Sequence, residues 1–189
     1  MKAKYLTFVL LLLFSLGLDQ GTKIWARKTL KPIAPASQVV IKGVWEHRYS
    51  ENPGSAFGFF RNLGGARWAL FGVGVLCLGV IGLWLHKTPG AAPWLGAKLG
   101  LLAGGAIGNM IDRAMYSRVT DFIVWKWTTS TRIYEWYTFN VADAALVIGV
   151  ALILIDRPRD PEEPAPGDTS KAPLPELKKG EGDAASATA

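Results

Sequence analysis

The chain has 189 residues, about one domain's worth, of which 50% are hydrophobic and eight are Trp, with a mean hydropathy of +0.20. Its net charge of +6 comes from scattered basic residues, which argues against a nucleic-acid surface and suits contact with anionic lipids. The single cysteine, Cys77, excludes an intrachain disulfide and a thiolate metal cluster. The composition indicates a membrane protein.

Four apolar runs are long enough for helices that cross a bilayer, which takes about 20 residues. The runs cover residues 5–26, 68–85, 94–111 and 136–155. Tryptophans lie at or near the ends of these runs, where membrane-water interfaces are expected. They are Trp25, Trp68, Trp84, Trp94 and Trp136. The pattern predicts four transmembrane helices, with both termini on one side.

The first run follows Lys2 and Lys4, as in a secretory signal peptide, but it continues through polar residues to Trp25. We therefore interpret it as a membrane helix with an apolar inner half and a polar outer half. Asp19 and Lys23 are four residues apart, so they can pair on one helix face and share the cost of burial. Removing one partner is expected to harm the protein more than removing both.

The stretch between the first two runs is more polar and contains strand and turn signals. Residues 39–41 are β-branched, residues 52–54 form an Asn-Pro-Gly turn sequence, and Phe57, Phe59 and Phe60 follow. These features predict a short sheet near the membrane surface, with an aromatic loop that dips into the interface and closes over a substrate. The alternative is a simple connecting loop.

Glycine recurs at every fourth position of the third run and gives a smooth face on which another helix can approach closely. These residues are Gly96, Gly100, Gly104 and Gly108. Asn109, Asp112 and Arg113 come next, at a spacing that places all three on one helix face. Ionisable groups at membrane depth usually mark function, although Asp112 could simply pair with Arg113 or Arg118.

The fourth helix is expected to begin with a second amide and carboxylate, Asn140 and Asp143, on one face. Neighbouring antiparallel helices would bring this pair and the end of the third run to the same membrane side, with Asp121 between them. Two close carboxylates cannot both ionise, so one can activate water while the other donates a proton, as in aspartic proteases. Asp112, Asp121 and Asp143 are the candidates, and their spacing does not choose among them.

Five blocks of this sequence resemble, in order and spacing, the motifs of bacterial lipoprotein signal peptidases, also called signal peptidase II. The blocks are Asp19-Gln-Gly-Thr-Lys23, Asn52-Pro-Gly-Ser-Ala-Phe57, Gly105-Ala-Ile-Gly-Asn-Met-Ile-Asp-Arg113, Val119-Thr-Asp-Phe122 and Phe139-Asn-Val-Ala-Asp143. The resemblance covers residues 18–143, and no motif residue is missing. It implies an intramembrane aspartic endopeptidase that removes the signal peptide from diacylglyceryl-modified prolipoproteins, cutting just before the lipidated cysteine.

The resemblance also assigns roles to individual residues. It implies that Asp121 and Asp143 are the catalytic dyad. It gives a substrate-binding or site-ordering role to Asn52, Gly54, Asn109, Arg113 and Asn140, and a structural role to Asp19, Lys23 and Asp112. We expect no metal and no cofactor, since carboxylates can activate water unaided. The expected partners are prolipoprotein substrates and membrane lipids, with no nucleic acid, and the chain is expected to act as a monomer.

The implied fold is an all-α polytopic membrane protein of four transmembrane helices within a peptidase domain of residues 1–159. It carries a small extracytoplasmic β-sheet at about residues 28–66 and a short periplasmic helical loop at about residues 113–138. Residues 160–189 are expected to form a disordered cytoplasmic tail because they are rich in Pro, Glu, Lys, Ala and Gly.

The resemblance implies a location in the bacterial inner membrane, with both termini cytoplasmic and the active site on the extracytoplasmic side. The distribution of basic residues disagrees with this orientation. More of them lie in residues 28–67 and 113–132 than beside the termini, so the positive-inside count alone would place the termini outside. Basic residues in a surface domain apposed to lipid can serve binding instead of topology.

Three other kinds of membrane protein are alternatives to a peptidase. A proton-coupled transporter could use membrane-embedded aspartates, but transporters usually contain internal repeats and this sequence shows none. A metal-dependent lipid-head transferase would cluster its acids on one helix, whereas these acids are spread along the chain. A purely structural four-helix protein would leave the polar residues Asp19, Asn109, Asn140 and Asp143 without a purpose.

Overall fold

The computed structural model describes residues 3–54 and 66–155. The described part contains four α-helices and four β-strands. The helices are α1 (Ala3–Thr29), α2 (Ala66–Lys87), α3 (Pro93–Tyr116) and α4 (Val141–Ile155). The strands are β1 (Gln38–Ile41), β2 (Trp45–Asn52), β3 (Val119–Thr128) and β4 (Ile133–Glu135), and a short 3-10 helix covers Lys31–Ile33. The predicted aromatic loop at Phe57, Phe59 and Phe60 and the predicted tail 160–189 lie outside the described residues.

Each of the four predicted helices is present, and the protein is mostly helical with a small antiparallel sheet. Two segments, Ala3–Ile33 and Trp68–Lys87, are long and apolar enough to cross a membrane, and Val141–Ile155 is apolar but shorter. The fourth helix begins at Val141, five residues later than the run that starts at Trp136. The reason is that Phe139 forms backbone hydrogen bonds with Ile123 of β3, which keeps the preceding residues extended.

Helices α1 and α3 run parallel and pack closely along the predicted glycine face. A side chain added at Gly96 would meet the Lys4 carbonyl, and one at Gly100 would meet the Phe8 carbonyl. One at Gly104 would meet Ser15. The glycines therefore let the two helix backbones approach closely, as the fourfold spacing predicted.

Helix α3 is the central element because the other helices pack on it. Leu99 and Ala103 of α3 form a buried cluster with Ile81 and Leu85 of α2. On the opposite side, a side chain at Gly105 would collide with the Ala142 carbonyl of α4. This arrangement carries the end of α3 and the start of α4 to the same end of the bundle.

The sheet is antiparallel with the strand order β1-β2-β3-β4. Strands β1 and β2 lie within the predicted region of residues 28–66, but the predicted short helical loop at about residues 113–138 is wrong. Helix α3 ends at Tyr116, Ser117 takes a left-handed conformation (φ 64°), and β3 begins at Val119. Residues 119–128 form a strand because they are rich in β-branched and aromatic side chains and pair with β2.

Strand β3 connects the sheet to the helices. Its first four residues, 119–122, are buried, whereas most of its second half is half-buried or exposed. The backbone hydrogen bonds of Phe139 to this strand place Asn140 and the start of α4 beside Asp121. Three elements therefore converge where β3 begins, α3 ends and α4 begins.

Candidate active site

Asp121 lies in the buried half of β3, opposite Ser50 of β2, and is 2% exposed. Both of its carboxylate oxygens accept hydrogen bonds from side-chain amides. The Nδ2 of Asn140 donates to Oδ1 at 2.6 Å, and the Nδ2 of Asn52 donates to Oδ2 at 3.1 Å. The carboxyl group is thus held by the end of β2 and the start of α4, the elements on either side of it.

The environment of Asp121 favours its protonated form. Burial is the main cause, and the nearby negative charge of Asp143 adds to it, so that the pKa of Asp121 rises to about 7. The hydrogen bonds from Asn52 and Asn140 and the positive charge of Lys23 oppose this rise. The result is a buried carboxyl group that can hold a proton at neutral pH.

Asp143 lies in the first turn of α4 and is half-buried. Its Oδ1 accepts from Asn109 Nδ2 at 2.8 Å, and its Oδ2 accepts from the backbone N of Asn140 at 3.2 Å. The backbone N of Asp143 donates in return to Asn140 Oδ1 at 3.0 Å. This is a reciprocal helix cap, and the helix N-terminus itself favours a negative charge at this position.

Asn140 joins the two carboxylates. Its backbone N donates to Asp143 Oδ2, and its side-chain oxygen accepts from the Asp143 backbone N. Its Nδ2 donates both to Asp121 Oδ1 and to Asn109 Oδ1, the latter at 3.2 Å. Asn140 is completely buried, so water does not compete for these bonds. The structure thereby brings together four of the residues singled out in the sequence.

Gly54 and Arg113 form hydrogen bonds with the asparagines that contact the two carboxylates. The backbone N of Gly54 donates to Asn52 Oδ1 at 2.9 Å, which orients the Asn52 amide toward Asp121. Gly54 has a φ of 99°, a backbone conformation that other residues rarely adopt, so glycine is favoured at this turn. Arg113 donates to the Asn109 carbonyl at 3.3 Å, and its guanidinium lies near enough to attract Asp121 and Asp143.

A layer of charged residues lies against the site on the side of α1. The ion pair predicted between Asp19 and Lys23 is present. Lys23 Nζ lies 3.0 Å from Asp19 Oδ2, and both side chains are completely buried. Lys23 also donates to Asn109 Oδ1 at 2.9 Å. Asp19 Oδ1 accepts from the backbone N of Ala142 at 3.0 Å, so the first helix caps the start of the fourth.

Asp112 belongs to the same charged layer. Its Oδ2 accepts from the backbone N of Thr120 at 2.8 Å and its Oδ1 lies 3.2 Å from Arg27 NH1. Its partners are therefore on α1 and β3, whereas the sequence had suggested Arg113 or Arg118. The spacing of Arg27 was an available signal, because Asp19, Lys23 and Arg27 recur every four residues along one face of α1.

Two further contacts were missed from the sequence. Arg27 NH1 also donates to Thr120 Oγ1 at 2.9 Å, and Gln20 Nε2 donates to Asp19 Oδ2 at 3.0 Å. Within residues 3–54 and 66–155, no three His, Cys, Asp or Glu side chains are grouped so that they could hold a metal ion. That activity needs no metal stays a prediction.

The fold is similar to solved structures of a membrane enzyme. Two structures, described as a bacterial membrane enzyme determined by the in meso method at 2.3 Å and 1.9 Å, superpose with TM-scores of 0.67 and 0.68. Both are 32% identical to this chain and cover 79% of it, and this chain covers 85% and 90% of theirs. The fold and the buried polar site thus place the chain in the class of helical membrane enzymes.

The sequence comparisons identify the family. The family model described as signal peptidase (SPase) II matches residues 11–158. The lipoprotein signal peptidase of Xylella fastidiosa (strain M12) is 38% identical over 167 residues, which are 84% of this chain and 95% of that protein. That of Geobacter sulfurreducens is 37% identical over 166 residues, which are 88% of this chain and all of that protein. The chain belongs to the signal peptidase II family and is a protease of lipoprotein processing.

Proposed function

We propose that this chain is an intramembrane aspartic endopeptidase that removes the signal peptide from diacylglyceryl-modified prolipoproteins, cutting just before the lipidated cysteine. The observation that carries the proposal is the joining of Asp121 and Asp143 through Asn140, with one carboxyl group titrating near neutral pH. Membership of the signal peptidase II family supports the substrate class. It also favours a peptidase over the proton-coupled transporter considered above.

In the proposed reaction, Asp143 acts as the general base. The N-terminus of α4 and two N–H donors stabilise its charged form. Asp143 takes a proton from a water molecule as the water oxygen attacks the scissile carbonyl carbon, and protonated Asp121 donates to the carbonyl oxygen. A neutral tetrahedral intermediate forms.

The intermediate then collapses with the reverse proton movements. Asp143 gives its proton to the nitrogen of the lipidated cysteine, the C–N bond breaks, and Asp121 recovers a proton from the hydroxyl group of the intermediate. The products are a signal peptide with a new carboxyl group and a lipoprotein with a free cysteine amine. No metal or cofactor is required for these steps.

The remaining site residues order this pair and the substrate. Asn52, Asn109 and Asn140 present N–H groups to the two carboxylates, Gly54 holds Asn52 in place, and the half-buried Arg113 is available to substrate carbonyls. Asp19, Lys23 and Asp112 stabilise the packing of α1 on α3 and α4.

We further propose that all four helices span the bacterial inner membrane, with both termini cytoplasmic and the site on the extracytoplasmic side. A green fluorescent protein fused to the C-terminus should then fluoresce, and alkaline phosphatase inserted after Lys42, in the β1–β2 turn, should be active. The opposite result for both reporters would support the orientation that the positive-inside count favours.

The test of function is cleavage of a lipid-modified prolipoprotein by the purified chain, with and without EDTA. We expect cleavage just before the lipidated cysteine, no cleavage of the unlipidated precursor, and no loss under EDTA. Cleavage elsewhere would refute the assigned bond. Loss under EDTA that Mg²⁺ or Zn²⁺ restores would refute the metal-free mechanism.

A further inference from the structure

Lys23 is a buried cation that makes more contacts than a structural ion pair needs. Its Nζ lies 3.0 Å from Asp19 Oδ2 and 3.7 Å from Asp112 Oδ2, and both carboxylates are completely buried. It also donates to the side-chain oxygen of Asn109 at 2.9 Å. Neutralising the two carboxylates would not require this third contact, and Asn109 is the residue that hydrogen-bonds Asp143.

The amide of Asn109 lies between opposite charges. Its oxygen faces the Lys23 ammonium at 2.9 Å, and its nitrogen donates to Asp143 Oδ1 at 2.8 Å. Turning the amide over would place an NH₂ group against the ammonium and an oxygen against the carboxylate, which is unfavourable at both ends. The charge of Lys23 therefore fixes which end of Asn109 faces Asp143.

The side-chain oxygen of Asn109 is also linked to Asp121, the second carboxylate, through Asn140. It accepts from Asn140 Nδ2 at 3.2 Å, and that nitrogen donates to Asp121 Oδ1 at 2.6 Å. We infer that Lys23 is a positioning residue for the cleavage proposed above, on which this inference rests. Its ammonium orients Asn109, and through Asn109 also Asn140, so that both carboxylates face N–H donors.

The charges around Asp121 give this arrangement a measurable consequence. Asp143 on α4 raises the pKa of Asp121, whereas Lys23 on α1 lowers it. Arg113 on α3 also lies close enough to attract Asp121. Loss of the Lys23 charge should therefore move the titration of Asp121 to higher pH. Because this shift reports the charge itself, a fall of kcat at nearly constant KM is the readout that a lysine serving only helix packing would not produce.

The experiment replaces Asp19 and Lys23 together by neutral residues, which we call a charge-free pair. It separates an effect on the positions of the reacting groups from an effect on the stability of the fold. Asp19→Asn/Lys23→Met removes both charges and keeps a side-chain oxygen for the Ala142 N–H, so the buried ion pair is not left half-broken. We expect kcat to fall about 10- to 100-fold, with KM changed less than about twofold, because misplaced reacting groups affect turnover more than binding. The alkaline limb of the pH-rate profile should move to higher pH. Asp19→Leu/Lys23→Leu provides a second charge-free pair, for which we expect the same result.

The matched control is Lys4→Met. Lys4 is also a buried lysine of α1, it donates to the Thr88 carbonyl, and it lies about 28 Å along the helix from Lys23. We expect it to lower the thermal midpoint without moving the pH limb. Charge-free pairs with normal kcat and an unmoved limb would overturn the inference, as would the same shift in Lys4→Met. Normal cleavage by Asp121→Asn or Asp143→Asn would overturn the proposed function itself, and this inference with it.

Discussion

Four aspartates converge on this site, and they are held in two different ways. Asp19 and Asp112 contact cations of α1, with Lys23 Nζ at 3.0 Å from the first and Arg27 NH1 at 3.2 Å from the second. Within the described residues, the hydrogen-bond donors to Asp121 and Asp143 are amide groups of the chain. These four carboxylates are alike in chemistry, and the structure distinguishes them by their neighbours.

The difference explains why burial need not make an aspartate reactive. A buried carboxylate beside a lysine or arginine is stabilised by that cation, and removing the cation is costly. Neutral amide donors support a carboxylate without fixing its charge. Asp121 is nearly as buried as Asp19 and Asp112 but is held by neutral amides, and burial together with the charge of Asp143 raises the pKa of Asp121 to about 7. The comparison therefore distinguishes two carboxylates held by cations from two held by amides, and the second pair is the one to which we assign the proton exchange of the proposed reaction.

The largest expected effect concerns the amide-held pair. Asp121→Asn and Asp143→Asn keep size and shape but prevent proton exchange, so each should lower kcat by about 100- to 10,000-fold. Affinity for a lipopeptide substrate should remain within a few-fold of wild type. Asp112→Asn should act through the protein's stability, since its partners are Arg27 and the Thr120 backbone. Near-normal turnover of either dyad variant would refute the assignment, whatever the family resemblance implies.

The next effect concerns the cation-held pair. Lys23→Met should destabilise the protein by about 3–5 kcal/mol, because Asp19 would stay buried after losing the cation that it contacts. Asp19→Asn/Lys23→Met should recover much of that loss, as thermal unfolding in detergent would report. Equal midpoints for the single and double variants would mean that the buried pair contributes little to stability.

A smaller effect is expected at the apolar half of the α1–α3 contact. Gly104→Ala should destabilise the protein by about 1–3 kcal/mol, because the added methyl group meets Ser15 and the Leu12 carbonyl. Gly79→Ala on α2 is the matched control, since nothing lies within 4 Å of a side chain there. If the two variants unfold at the same temperature, the close approach of the helices does not depend on glycine.

Much of this arrangement could be predicted from local patterns. The helices followed from apolar length, the α1–α3 contact from glycines every fourth residue, and the pair Asp19 and Lys23 from spacing on one face. The strands β3 and β4 were not predicted, because the family resemblance implies a helical loop at about residues 113–138. The enrichment of β-branched and aromatic residues from Val119 to Thr128 was the signal that favoured a strand.

The partners of each aspartate could not be predicted from spacing alone. Asp112 contacts Arg27, which is 85 positions away, and Asn140 meets Asp121 because Phe139 pairs with Ile123. Such contacts depend on how helices and strands pack in three dimensions, which local periodicity does not encode. Choosing Asp121 and Asp143 over Asp112 required the family resemblance, and their catalytic role stays a prediction.

The smallest expected effect is a dependence on pH, and it tests the comparison directly. Asp121 must hold a proton to donate it, so with its pKa near 7 the rate should fall about tenfold per pH unit well above that value.

The free energy of unfolding should also decrease as the pH rises. The folded chain keeps the proton up to about pH 7, while the unfolded chain loses it near the ordinary aspartate pKa of 3.8. The stabilisation linked to this proton is therefore complete below pH 3.8 and is lost as the pH rises through about 7. Asp121→Asn should remove the part of the dependence that this proton causes, and Asp112→Asn, the same chemical change at a neighbouring buried aspartate, is the control. A pH profile of unfolding that Asp121→Asn leaves unchanged would show that the proton resides elsewhere.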